Sequence, residues 1–175
     1  RLYHSGISNV MDNAILSLLT KPNPEKRYDT LSEHYCKLDE IPFDHFRKYV
    51  SVLVGGEGGS TLIVKGDIHS VLTHCTQVEY KGQLLPIDDE AAASVSAVVD
   101  EMLSDGMKVI AVASRDMGSA ESLSPDDERD MILRGYLAFF DAPKETAKES
   151  VTALKSLNVT PKILTGDQEY TAISI

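Results

Sequence analysis

The sequence is short of cysteine, of basic charge and of long apolar runs, and each shortage excludes something. Its 175 residues contain two cysteines, Cys36 and Cys75. These are too few and too far apart for a disulfide framework or a metal cluster, so two free thiols are expected. Histidine does not fill the gap. His69 and His74 are five apart, a spacing that does not share a helix face well, so no metal site is expected. No apolar run approaches the ~18 residues needed to span a membrane, and no signal-peptide pattern is present. Lysine and arginine number 17 against 27 acidic residues, a formal net charge of −10. A surface of that sign argues against nucleic acid, whose phosphates need neutralising cations. Any anionic ligand would have to find a local basic island in an unfavourable overall field.

What is present is ordinary for a globular chain: 42% hydrophobic and 25% charged residues. The length suits one domain, or one domain with part of another, and suffices for a sizeable core. The most informative stretch is IPFDHFRKYVSVLVGGEGGSTLIVK, residues 41–65. Two β-branched segments, Tyr49 to Val54 and Thr61 to Val64, flank a glycine-rich turn and read as a β-hairpin. Phe43 and Lys48 enter near the start of one strand, and Lys65 leaves near the end of the other. In an antiparallel hairpin those ends lie side by side. One aromatic face and two ammonium groups can therefore converge there, and an aromatic that stacks on a base with lysines that offset phosphate is nucleotide-binding chemistry. A plain hairpin, with Phe43 in the core and its lysines solvated, accounts for the same residues.

Around this hairpin the chain alternates helices and strands. Ser8 to Thr20 reads as a helix with Val10, Met11, Ala14, Ile15 and Leu18 on one face. Asp12 stands in its first turn, where the helix dipole favours an acid. Residues 21–33 read as a surface loop, and Tyr35 to Ile41 as a strand. Asp67 to Cys75 is a short helix that Asp67 begins as its cap. A second small hairpin turns around Lys81-Gly82. Asp88 to Ser104 is the clearest helix, with Val95, Val98, Val99, Met102 and Leu103 as its buried stripe and Gly106 as its stop. Lys108 to Arg115 is an apolar strand, Asp126 to Leu133 a short acidic helix or turn, and Gly135 to Asp141 another strand. A helix to about Leu157 and a short strand at 162–164 complete a βαβ unit, which implies parallel strands where everything earlier looks antiparallel. The expected fold is α+β: an antiparallel sheet flanked by helices over residues 1–134, then a partial α/β segment over 135–175.

Five motifs, in order, resemble the nucleotide-binding region of the P-type cation-transporting ATPases. They are PF with a basic run at 42–48, KGD at 65–67 where the family has KGA, Gly-x-Lys before a V-x-A-V-A strand at 106–113, DAPK at 141–144, and TGD at 165–167. His4-Ser5-Gly6 followed by Met11-Asp12 is similar to the magnesium-importing branch. The resemblance covers essentially the whole chain. It implies a cytosolic ATP-binding domain of a membrane pump in the bacterial inner membrane, using Mg-ATP. Its partners would be ATP and the phosphorylation, actuator and transmembrane parts of the same pump. It implies that Phe43 stacks on the adenine and that Asp12 lies near the adenine or ribose. Lys48, Lys65, Gly66 and Lys108 would lie toward the phosphates, with Thr165, Gly166 and Asp167 facing the transferred phosphoryl group. DAPK would be the hinge between the nucleotide-binding domain and a partial phosphorylation domain.

The family's DKTGT motif, which carries the phosphorylated aspartate, does not occur among these residues, nor does its GDGxND motif. The expectation is therefore a fragment, cut at both ends, that does not turn over ATP by itself. Magnesium import rests on the resemblance, with calcium or proton pumping as alternatives. A non-catalytic protein-interaction module and a haloacid-dehalogenase-type phosphatase remain open from the residues. The phosphatase too needs an aspartate motif that is missing.

Overall fold

A computed structural model describes residue 15, residues 34–140 and residues 146–162. The strands are β1 (Cys36–Ile41), β2 (Tyr49–Gly56), β3 (Gly59–Asp67), β4 (Cys75–Tyr80), β5 (Gln83–Pro86), β6 (Met107–Gly118) and β7 (Met131–Phe140). The helices among the described residues are α1 (Ile68–Leu72), α2 (Asp89–Ser104) and α3 (Ala147–Ser156), with a 3₁₀ turn at Pro125–Asp127. The strands form one sheet in the order β1-β2-β3-β6-β7-β4-β5.

The hairpin forms where its β-branched runs place it. Gly56 pairs with Gly59, so Glu57 and Gly58 alone make the turn. Gly59 has φ +115, and a β carbon there would sit 2.5 Å from the carbonyl oxygen of Gly118. Both the left-handed backbone and the close approach of β6 require glycine at that position. Along β3, Ser60, Leu62, Val64 and Gly66 are buried while Thr61, Ile63, Lys65 and Asp67 are only partly so. That alternation is the two-residue period of a strand with two different faces.

The core lies on the first of those faces. Tyr49, Leu62, Val64, Val109, Ala111, Ala113, Met131 and Leu133 of the sheet close against Ile68 and Val71 of α1 and Val99 of α2. The two helices are capped as their sequences suggest. Asp67 accepts a hydrogen bond from the Ser70 amide at 3.0 Å, and Asp88 one from the Ala91 amide at 2.8 Å. Val95, Met102 and Leu103 join Val99 against the core. Val98 does not. It is 43% exposed, because it stands one step off the face that Val95, Val99 and Met102 define.

Two expectations need correction. The sheet is not wholly antiparallel: β4 pairs with β7 in parallel, through Cys75–Met131 and Val78–Leu133. β5 turns back on the outer edge of β4, and α2 then crosses to β6. The return strand β7 therefore fills the gap beside β4 in the parallel sense. The segment 126–133, expected as a short acidic helix or turn, is a turn only at its start and a strand from Met131. Ser124 caps only the 3₁₀ turn at Pro125–Asp127, Asp130 takes a left-handed φ of 53, and the strand begins at Met131. Burial of Met131 and Leu133 on the core face fixes that register.

The expected division at 134 falls inside β7. Tyr136 to Phe140 remain paired with Ala111 to Met107 of β6. Apart from Ile15, which is helical, the expected helix at 8–20, the loop at 21–33, the hinge at 141–144 and the strand at 163–164 lie outside the described residues.

Candidate functional site

Pro42 to Lys48 is a tight turn leading into β2, and its own polar groups hold it. The Asp44 carboxylate accepts from the amides of Phe46 at 2.6 Å and Arg47 at 3.0 Å. The Lys48 amide donates to the Asp44 carbonyl at 2.6 Å. The Arg47 amide, then that of Phe46, keeps the Asp44 carboxyl below its usual range. Lys48 has φ 60, a left-handed conformation that costs a non-glycine residue about 1–2 kcal/mol. It is retained because the hydrogen bonds on both sides over-determine it.

Register then joins this turn to the end of β3. Tyr49 pairs with Gly66, Val50 with Lys65, and the Asp67 amide donates to the Lys48 carbonyl at 3.0 Å. A β carbon on Gly66 would lie 2.3 Å from the Tyr49 β carbon and 2.4 Å from the Lys48 oxygen. Gly66 is therefore what lets the two strands close at this end. Lys65 pairs in turn with Val112 of β6. Lys108 is four residues further along β6, opposite Phe139. Even-numbered positions of β6 share one face in this stretch, so Lys65 and Lys108 lie on the same face near the same end of the sheet.

Phe43 occupies the outer part of the turn. Its ring is 55% exposed and meets the His45 ring edge-on, at 5.4 Å between centroids and 87° between planes. It is not a core residue, which removes the plain-hairpin account of that side chain. Phe46 stands out further, at 96% exposure. Among the described residues the β2–β3 pairing thus brings Lys48, Lys65 and Gly66 to one end of the hairpin, places Lys108 on the adjoining strand, and puts Phe43 on the turn that feeds β2. Asp12, Thr165, Gly166 and Asp167 lie outside the described residues.

A buried polar cluster beneath the turn went unread in the sequence. Glu128 is 5% exposed. Its Oε1 accepts from Arg47 Nη2 and from Ser51 Oγ, both at 2.5 Å. Its Oε2 accepts from Tyr49 Oη at 3.1 Å. Tyr49 Oη lies 3.1 Å from His74 Nε2, and the Arg47 guanidinium stands 4.5 Å from the centre of the Tyr49 ring. A buried carboxylate is tolerated only when paired and hydrogen-bonded, and this one is both. Burial, first, and the neighbouring carboxylate push the Tyr49 hydroxyl above its ordinary range, against the Arg47 contact. The one available signal was Ser51, a hydroxyl in the middle of an apolar strand that needed a buried partner.

Among the described residues no three His, Cys, Asp or Glu side chains converge as a metal site, and no helix is long and apolar enough to cross a membrane.

A family model for the P-type ATPase cytoplasmic domain N matches residues 5–146. The chain is 38% identical over 175 residues to the magnesium-transporting ATPase, P-type 1, of Salmonella typhimurium, covering 99% of this chain and 19% of that protein. It is 37% identical to the protein of the same name from Escherichia coli, with the same coverage. The calcium-transporting ATPase of Bacillus subtilis is 25% identical over 166 residues, 94% of this chain and 18% of that protein. The chain thus spans about a fifth of the length of the curated relatives it matches.

Proposed function

The chain belongs to the P-type ATPases, as the cytoplasmic domain N of such a pump, and from that premise we propose that it binds ATP at the open end of the β2–β3 hairpin. The observation that carries the proposal is the register of Tyr49 with Gly66 and Val50 with Lys65. It sets Lys48 and Lys65 beside one another next to an exposed aromatic turn. In a chain of net charge −10, a convergence of lysines is the local basic island that an anionic ligand requires.

In this reading the adenine stacks on Phe43. Lys48, Lys65 and Lys108 neutralise phosphate charge, and Gly66 lets β2 and β3 close tightly enough to bring Lys48 and Lys65 near one another. Asp12 lies toward the adenine or ribose. Thr165, Gly166 and Asp167 serve the phosphoryl group in the parent protein. ATP enters with Mg²⁺ as its counter-ion. The work of the domain is positioning and charge neutralisation, as in phosphoryl transfer generally. The continuity of β7 from Met131 to Phe140 supports a division between the nucleotide-binding part and the phosphorylation part after that strand rather than at 134.

The parent pump moves a cation across a membrane, with this domain in the cytoplasm. Its other partners are the phosphorylation, actuator and transmembrane parts of the same protein. Magnesium is the favoured ion, since relatives named for magnesium transport reach 37–38% identity and those named for calcium 25–30%. The bacterial inner membrane follows from the bacterial source of those relatives.

Amide chemical-shift titration with ATP, ADP and adenosine tests the site. The expected result is that all three shift Phe43 and its turn, and that only the two nucleotides also shift Lys65 and Lys108. Shifts clustered elsewhere would leave the hairpin without a nucleotide role.

A further inference from the structure

We infer that Glu128 is a positioning residue for the proposed nucleotide site, holding the Phe43–Lys48 turn in place through Arg47; this rests on the ATP-binding reading given above. Glu128 is 81 residues from Arg47 in sequence. It follows directly on the 3₁₀ turn, and its amide donates to the Pro125 carbonyl at 3.2 Å. A second anchor reaches that segment from β6, where Arg115 Nη1 donates to the carbonyls of Asp127 at 2.9 Å and Arg129 at 3.2 Å. Glu128 is thus presented from a fixed piece of backbone.

The carboxylate receives three donors, from Arg47, Ser51 and Tyr49. The single hydroxyl proton of Tyr49 goes to Glu128, so His74 Nε2 carries the proton shared with the Tyr49 oxygen. Ser51 and Tyr49 belong to β2, whereas Arg47 belongs to the turn. Glu128 therefore ties the turn to the strand by hydrogen bonds to both. Without it, Arg47 would keep its stacking on Tyr49 and a long 3.4 Å approach to Ser51. Neither fixes the direction of the turn.

Arg47 sits between the two side chains that the site uses from this turn. Lys48 follows it with a left-handed φ of 60, a conformation that is held only while its neighbours are held. Phe43 precedes it across the Asp44 hydrogen bonds. Release of Arg47 loosens both ends together, the ring for the base and the ammonium for the phosphates.

This gives a sign that separates positioning from electrostatics. Glu128→Gln removes one negative charge. By charge alone, ATP binding would tighten and adenosine binding would not change. By positioning, both weaken, since the stacking ring is displaced along with the lysine. The test measures ATP and adenosine affinity by chemical-shift titration for the 175-residue chain and for Glu128→Gln, each confirmed folded at the temperature used. The expected result is about three- to tenfold weaker binding of both ligands, with shift changes concentrated at 43–48. If Glu128→Gln does not fold, Arg47→Met breaks the same contact from its more exposed side, where Arg47 is 25% exposed. Adenosine affinity then decides, because adenosine does not sense the lost charge.

Tighter ATP binding with unchanged adenosine would overturn the inference. So would a lowered melting temperature with both affinities intact, which would leave Glu128 a stability residue only. In either case Phe43-dependent ATP binding by the parent chain leaves the nucleotide reading standing. If Phe43→Ala binds ATP as the parent chain does, that reading fails and this inference falls with it.

Discussion

Gly66 faces Tyr49 so closely that a single added carbon would sit 2.3 Å from the Tyr49 β carbon and 2.5 Å from its α carbon. These atoms belong to or adjoin the backbone of a paired strand, so they do not yield as a long side chain would. Gly66→Ala should therefore destabilise the fold by about 2–3 kcal/mol, the upper part of the range for overpacking. Urea denaturation checks this. An alanine variant as stable as the parent would mean that β2 and β3 do not approach as described.

The two cysteines should react very differently. Cys36 is exposed. Cys75 is half-buried against the core, its Sγ 3.3 Å from the Val71 carbonyl, and burial pushes its thiol up to about 11. The thiolate is the reactive form. An aromatic disulfide reagent at mildly alkaline pH should consume one thiol quickly and the second only on unfolding. The same shift has a stability sign. The folded state holds the Cys75 proton more tightly than the unfolded chain, whose reference value is 9.0. That contribution is complete below 9.0 and is lost as pH rises toward 11. Two thiols reacting at equal rates would contradict the burial of Cys75.

Asp44 gives the opposite sign at the acid end. Its carboxyl titrates below 3.8 because it accepts from the Arg47 and Phe46 amides. Its contribution is present above 3.8 and is lost as pH falls through the lower folded value. The amide shifts of Phe46 and Arg47 should move with the Asp44 titration, and Asp44→Asn should abolish that movement. Amides that are silent through the carboxyl titration would show that the turn is held by something else.

Much of this fold could be read from residues because the local signals agree with the global result. The β-branched runs 49–54 and 61–64 with a glycine turn had one sensible arrangement. Asp67 and Asp88 cap the helices they were expected to cap. The placement of Phe43, Lys48 and Lys65 around the open end of the hairpin followed from hairpin geometry, and the order of five motifs supplied the family. Glu128 was not legible. It sits in PDDERD, where neighbouring acids share its chemistry, and only the tertiary placement of that segment selects one of them for burial. The start of β7 was obscured by the same charged run, since Asp130 turns the chain in a conformation no local pattern announced. The parallel pairing of β4 with β7 depends on which gap the last strand fills, a choice made by long-range topology rather than by either strand.

The central claim is that a nucleotide stacks on Phe43 beside a cluster of lysines, and its most direct test is the affinity for ATP of the parent chain against Phe43→Ala. Lys48 is exposed and Lys65 and Lys108 are only partly buried, so water and salt screen them, and in an acidic chain the parent should have only a weak dissociation constant of ~0.1–10 mM. Base–aromatic stacking is worth ~1–3 kcal/mol, so Phe43→Ala should lose at least about fivefold. That loss should exceed the loss in Lys65→Ala, which in turn should weaken ATP but spare adenosine. Equal ATP affinities for the parent chain and Phe43→Ala would contradict the assignment of this turn as the nucleotide platform.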